Sequence, residues 1–219
     1  MRTLRAGVPG GGYIIEGKNM SDNEVKSCLL CGVGGQGTVL ASRIIAAAAM
    51  AKGLHAKTAE TIGMAQRGGS VVSHVRIGEE IASPMVPLGT ADVLIGFEPG
   101  EAAANIKYLK EDGVIILSSR QVKPVTASLG QSGYDGDECL EWLKSKGSQC
   151  VVMDPDEIIE ACGSPKVLNV AMTGALAATG AVGLCIEDME EALRIRMKPK
   201  LLEMNMKALH MGAECVKER

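Results

Sequence analysis

Residues 26–53 read KSCLLCGVGGQGTVLASRIIAAAAMAKG. Lys26–Val33 is a short apolar run that ends in glycines, the form of a strand buried on both faces of a parallel sheet. Thr38–Lys52 reads as a helix stopped by Gly53. It is apolar on nearly every side, with Ala46 to Ala49 in a row, so it is expected to press on a sheet, with a partner as the second candidate for its other side. Between the two lies Gly32-Val33-Gly34-Gly35-Gln36-Gly37, which fits G-x-G-x-x-G. Glycine at such a place permits a tight turn, close approach of a ligand and close helix–strand packing. The helix start beyond it offers free N–H groups to an anion. Glu60 follows Gly37 by 23 residues, where a dinucleotide enzyme would hold ribose hydroxyls. A bare strand–helix turn would use the same glycines, so the loop alone leaves both readings open.

Working outward, His55–Glu60 reads as a second strand and Ile62–Gly69 as a glycine-punctuated loop. Val71–Ile77 alternates, with Val71, Ser73, Val75 and Ile77 on one face and Val72, His74 and Arg76 on the other. Ser83–Pro87 is a connector. Asp92–Phe97 is a buried strand, Glu101–Glu111 a helix, and Val114–Leu117 a strand after the Asp112-Gly113 turn. Asp137–Lys146 is a helix, Cys150–Met153 a strand and Asp156–Cys162 a helix. The chain from Val167 is helical, with Pro199 in the first turn of a new helix. Alternation of strands and helices predicts one α/β domain over 26–219, a single doubly wound, mainly parallel, Rossmann-like sheet with a helical C-terminal region.

Composition narrows the function. The 219 residues carry a net charge of −3 and are 46% hydrophobic but 2% aromatic. No basic patch or stacking platform for nucleic acid is present. Seven cysteines are scattered, and Met1–Asn19 is glycine-rich without an apolar signal region. Residues 1–25 are read as a mobile tail, with a second possible start at Met20, and the compartment as the cytoplasm. Val167–Cys185 has no charge, yet its alanines, glycines, Asn169, Thr173 and Thr179 suit a buried small-residue helix better than a membrane span.

The longer strings carry more. Residues 32–50 read GVGGQGTVLASRIIAAAAM, 60–78 ETIGMAQRGGSVVSHVRIG, 91–101 ADVLIGFEPGE and 168–176 LNVAMTGAL. Together they resemble the gamma-type subunit of the 2-oxoacid:ferredoxin oxidoreductases over residues 26–213. The Gly-Met-Ala-Gln-Arg-Gly-Gly form is similar to that of the small (beta) subunit of the indolepyruvate branch. The resemblance implies a multi-subunit enzyme. In that family thiamine diphosphate adds to the keto carbon of an arylpyruvate, carbon dioxide leaves, electrons pass singly to iron–sulfur clusters and ferredoxin, and coenzyme A takes the acyl group.

The residues themselves assign this chain a supporting part in such a complex. Only Cys28 and Cys31 are close in sequence, and their odd separation on a strand points them to opposite faces. No Gly-Asp-Gly stretch suggests a thiamine site, and Asp135-Gly136-Asp137 reads as a turn and helix cap. No cofactor is therefore expected tightly bound to this chain. The resemblance implies thiamine diphosphate, magnesium and iron–sulfur clusters in partner subunits and coenzyme A as co-substrate, and a homodimer is expected when the chain is alone.

Arg67, a guanidinium between glycines, is the candidate catalytic or anion-binding residue. Gln66, Gly68, Gly69, the loop Gly32, Gly34, Gly35, Gln36 and Gly37, and Glu98 complete the candidate ligand-binding or active-site set. Glu98 serves equally as a helix cap. His74 reads as a satisfied strand histidine, and no metal ligands are proposed. A stand-alone NAD(P)- or FAD-dependent oxidoreductase and a nucleotide-binding regulatory protein are the rival classes.

Overall fold

The computed structural model describes residues 24–62, 69–122 and 133–217. Six strands form one sheet in the order β2-β3-β1-β4-β5-β6. They are β1 (Lys26–Val33), β2 (His55–Ile62), β3 (Ser70–Gly78), β4 (Ala91–Gly96), β5 (Leu109–Ser118) and β6 (Gln149–Met153). β1, β4, β5 and β6 pair in parallel, and β3 runs antiparallel between β1 and β2. The mainly parallel expectation holds, with this one reversal. Only seven residues, 63–69, separate β2 from its neighbour β3, fewer than the dozen or more that a parallel crossover needs, which fits the antiparallel pairing.

Side chains alternate across β1. Cys28 and Leu30 join the core on one face, with α1 (Thr38–Ala51), α4 (Pro155–Cys162), α5 (Leu168–Thr179), α6 (Ile186–Arg196) and α7 (Pro199–Lys217). Leu29 and Cys31 join the core on the other, with α2 (Pro99–Asn105) and α3 (Gly136–Lys144). Helices thus cover both faces, as a doubly wound sheet requires. The expected opposition of Cys28 and Cys31 is seen.

One helix is shorter than the sequence suggests. The Glu101–Glu111 reading fails, because α2 ends at Asn105, a 3₁₀ turn spans Ile106–Tyr108 and β5 already begins at Leu109. Leu109 pairs with Ala91 and Val114 with Val93, so β5 bulges over Lys110–Gly113. The bulge brings Lys110 Nζ within 2.6 Å of Asp92 Oδ1, whose other oxygen accepts from Ser27 N at 2.7 Å. That tertiary pairing outweighs the helical reading of the segment.

The uncharged Val167–Cys185 stretch holds α5, which is buried from Leu168 to Ala177. α7 crosses it with almost no gap. A Cβ on Gly174 would lie 1.9 Å from the Leu209 carbonyl oxygen, and one on Gly212 1.9 Å from that of Ala171. This helix is therefore interior, the buried small-residue helix that was expected. Among the described residues, no helix is long and apolar enough to cross a membrane.

Candidate functional site at the carboxyl edge of the sheet

β1 and β4 are parallel neighbours whose connections leave in opposite directions, β1 through α1 towards β2 and β4 through α2 towards β5. Ligands of open α/β sheets bind outside the carboxyl ends of strands at such a switch point. The glycine loop follows β1 there, and Glu98 follows β4.

The loop is folded around its own glutamine. Gln36 Oε1 accepts from Val33 N at 2.8 Å, and Gln36 Nε2 donates to the Phe97 carbonyl oxygen at 3.0 Å. Gly32 leaves the room for this, since a Cβ there would stand 2.6 Å from Gln36 Oε1 and 2.8 Å from Phe97 Cβ. Gly37 caps α1 in the left-handed region at φ 86°, with Asn169 of α5 directly against it. Neither α1 nor α5 has a side-chain cap or an acidic residue in its first turn. Gly35 is exposed, and a Cβ there would have open space around it. The open part of the loop is thus Gly34–Gly35.

Gly34 N donates to the Gly69 carbonyl oxygen at 2.8 Å. This bond joins the glycine loop to Gly69 at the end of the second motif, residues that are brought together at the sheet's carboxyl edge only by folding. Gln66, Arg67 and Gly68 lie outside the described residues. Ser70, the next residue after Gly69, donates through Oγ to Glu101 Oε2 at 2.6 Å.

Glu98 is 2% exposed and caps α2, with Oε2 accepting from Glu101 N at 2.8 Å. Its Oε1 accepts from the Tyr134 hydroxyl. Burial pushes the Tyr134 hydroxyl pKa up, and the Glu98 hydrogen bond and charge add to it. Burial likewise raises Glu101; its hydrogen bond from Ser70 opposes the shift and the Glu98 carboxylate reinforces it. The sequence left Glu98 open between ligand and cap, and the structure shows the cap. Ser70, Glu101 and Tyr134 were missed. Glu98-Pro-Gly-Glu101 has the spacing of a helix start with Pro at its first position, a signal that places α2 at Pro99. Nothing in the sequence near Tyr134 points to Glu98.

His74 accepts from Val86 N at Nδ1, 3.2 Å, and packs edge-on against Tyr108. Burial lowers its pKa. This is the satisfied strand histidine that was expected. Asp135 caps α3 by accepting from Asp137 N and Glu138 N, also as expected. Burial raises the Cys28 and Cys31 thiols. Among the described residues, no group of three or more His, Cys, Asp or Glu could hold a metal ion.

Glu60 does not stand beside the loop. The strand next to β1 is β3, and Glu60 lies on β2 beyond it, opposite Ser73. Two strand spacings, about 9–10 Å, separate it from β1. A dinucleotide enzyme needs its ribose-binding acid on the strand adjacent to the loop, so the inserted β3 removes that feature of the rival reading.

The chain is thus a mixed α/β sheet protein whose glycine loop and Gly69 meet at the carboxyl edge. A family model described as pyruvate ferredoxin/flavodoxin oxidoreductase matches residues 27–215, and the chain belongs to that family. It is 43% identical over 185 residues to the indolepyruvate oxidoreductase subunit IorB of Archaeoglobus fulgidus, covering 84% of this chain and 92% of that protein. It is 33% identical over 181 residues to the pyruvate/ketoisovalerate oxidoreductases common subunit gamma of Pyrococcus abyssi, covering 81% and 89%. The crystal structure of the keto/oxoacid ferredoxin oxidoreductase gamma subunit from Geobacter sulfurreducens matches with a TM-score of 0.65 at 25% identity, over 89% of this chain and 99% of that one.

Proposed function

We propose that this chain is the small subunit of an indolepyruvate-type 2-oxoacid:ferredoxin oxidoreductase, and that it brings the 32–37 and 63–69 loops to the active site or the coenzyme A site of the assembled enzyme. The observation that carries the branch is the 43% identity to an IorB subunit across almost the full length of both chains. The site reading is supported by the Gly34–Gly69 hydrogen bond, which holds Gly69, the last residue of the second stretch, against the glycine loop. In this reading the partner subunits hold thiamine diphosphate, magnesium and the iron–sulfur clusters. Thiamine diphosphate, bound there, supplies the carbanion chemistry of decarboxylation. This chain's own part is binding and orientation.

Arg67 is the residue proposed to meet the oxoacid carboxylate or the phosphates of coenzyme A. It is the only charge in Gly63–Gly69, and a planar guanidinium bonds both anions bidentately. Arg67→Ala in the assembled enzyme is expected to lower indolepyruvate oxidation roughly ten- to hundredfold, the equivalent of one charge-assisted contact of about 1.5–3 kcal/mol. Arg67→Lys is expected to recover part of it. A raised KM for coenzyme A alone assigns the phosphates, and a lowered kcat with either substrate assigns orientation. Wild-type rates in the alanine enzyme would overturn the site, and a complex active only on pyruvate would overturn the branch.

A further inference from the structure

β1 and β3 pair antiparallel along their length, with Val33, the last residue of β1, opposite Ser70, the first of β3. The Gly34–Gly69 hydrogen bond is the next rung of that ladder, one step beyond both strands. End rungs open at the smallest cost in free energy. Glycine on each side leaves this one without side chains of its own to hold it.

The hold comes from the neighbouring residue. Ser70 shares its face of β3 with Val72 and His74, the side of the sheet that α2 covers. Its hydroxyl donates to Glu101 Oε2 at 2.6 Å. Glu101 is itself fixed in the first turn of α2. Its N–H donates to Glu98 Oε2 at 2.8 Å, and its carbonyl oxygen accepts from Asn105 Nδ2 at 2.8 Å. Glu98 is buried, and its other oxygen accepts from the Tyr134 hydroxyl. A buried carboxylate thus sets the α2 turn, the turn sets Glu101, and Glu101 sets Ser70.

We propose that Glu101 is a positioning residue, which through Ser70 keeps the Gly34–Gly69 rung closed and so sets where the second motif meets the glycine loop. The proposal rests on the proposed function, in which both stretches serve the active site or the coenzyme A site of the assembled enzyme. Glu101 acts there without touching substrate. A hydroxyl bonded to a carboxylate is short and strong, which suits a clamp on an exposed residue. Orientation is steep in distance, since a misplacement of about 1 Å can cost about a hundredfold in rate.

The test has two arms. In the full chain, amide hydrogen exchange is read residue by residue. Glu101→Ala and Ser70→Ala are each expected to speed exchange of the Gly34 amide about fivefold or more, and the double variant no more than either alone. Glu101→Gln, which keeps an acceptor for Ser70, is expected to stay within about twofold of wild type. The Leu30 and Ser73 amides, in the middle of the same ladder, are expected to exchange as in wild type. In the assembled enzyme, Glu101→Ala is expected to lower kcat about three- to tenfold with little change in KM, and Glu101→Gln to recover most of the loss. Unchanged Gly34 exchange in Glu101→Ala, or equal acceleration at Leu30 and Ser73, would overturn the clamp. So would wild-type turnover in Glu101→Ala while Arg67→Ala is impaired, and the site reading would then stand. Faster Gly34 exchange with wild-type turnover in both variants would keep the clamp and overturn the site reading.

Discussion

Glu101 stands half-buried in the first turn of α2, with the Ser70 hydroxyl on one oxygen and the Glu98 carboxylate three positions back. Burial and that neighbouring charge raise its pKa above the ordinary 4.5, against the pull of the Ser70 bond. The sign of the consequence follows from linkage. The folded chain holds this proton more tightly than the unfolded chain, so stability falls as pH rises through 4.5 towards the folded value. Glu101→Gln keeps an acceptor for Ser70 and has no charge to bury. It is therefore expected to raise the melting temperature at neutral pH, with the advantage gone below about pH 4. Denaturation across pH checks this; an advantage that persists in acid would mean that the gain comes from packing. Gln36 is the contrasting residue. Both ends of its amide are bonded to backbone, so its work in the free chain is to shape the loop.

At the scale of elements, α5 and α7 are held at a distance that only glycine allows. The Cβ of an alanine at 174 would meet the carbonyl oxygen of Leu209, a backbone atom that cannot swing aside. Gly174→Ala is expected to cost about 3 kcal/mol, the upper range for overpacking. Gly163, which closes α4 at φ 72° with open space around it, gives the comparison. Gly163→Ala is expected to cost about 1–2 kcal/mol, from backbone strain alone. Urea denaturation of both variants ranks them, and a Gly163 variant that proved the less stable would mean that the helices part easily. The same crossing explains why Val167–Cys185 lacks charge without being a span. It is a helix enclosed between α7 and the sheet.

Over the whole molecule, the two thiols of β1 are kept out of reach. Cys28 and Cys31 are fully buried in the cores on opposite faces. The chain purified alone without oxygen is expected to carry no stoichiometric iron and no broad visible absorption, measured by iron and sulfide assay; one cluster per chain would require thiolates from elsewhere to assemble. Much of this was legible in the residues. The apolar run of β1, the glycine loop and the uninterrupted alanines of α1 specify their elements locally, because hydrophobic period and glycine placement act over a few residues. The family was legible for the same reason, its motifs being contiguous strings. The insertion of β3 between β1 and β2, which carries Glu60 away from the loop, was not. Nor were the early end of α2, the bulge in β5 or the Tyr134–Glu98 bond. Each joins groups far apart along the chain or depends on which strand lies beside which. Sequence period sets what an element is; which neighbour it packs against is decided when the whole chain closes on itself and must satisfy every buried polar group at once.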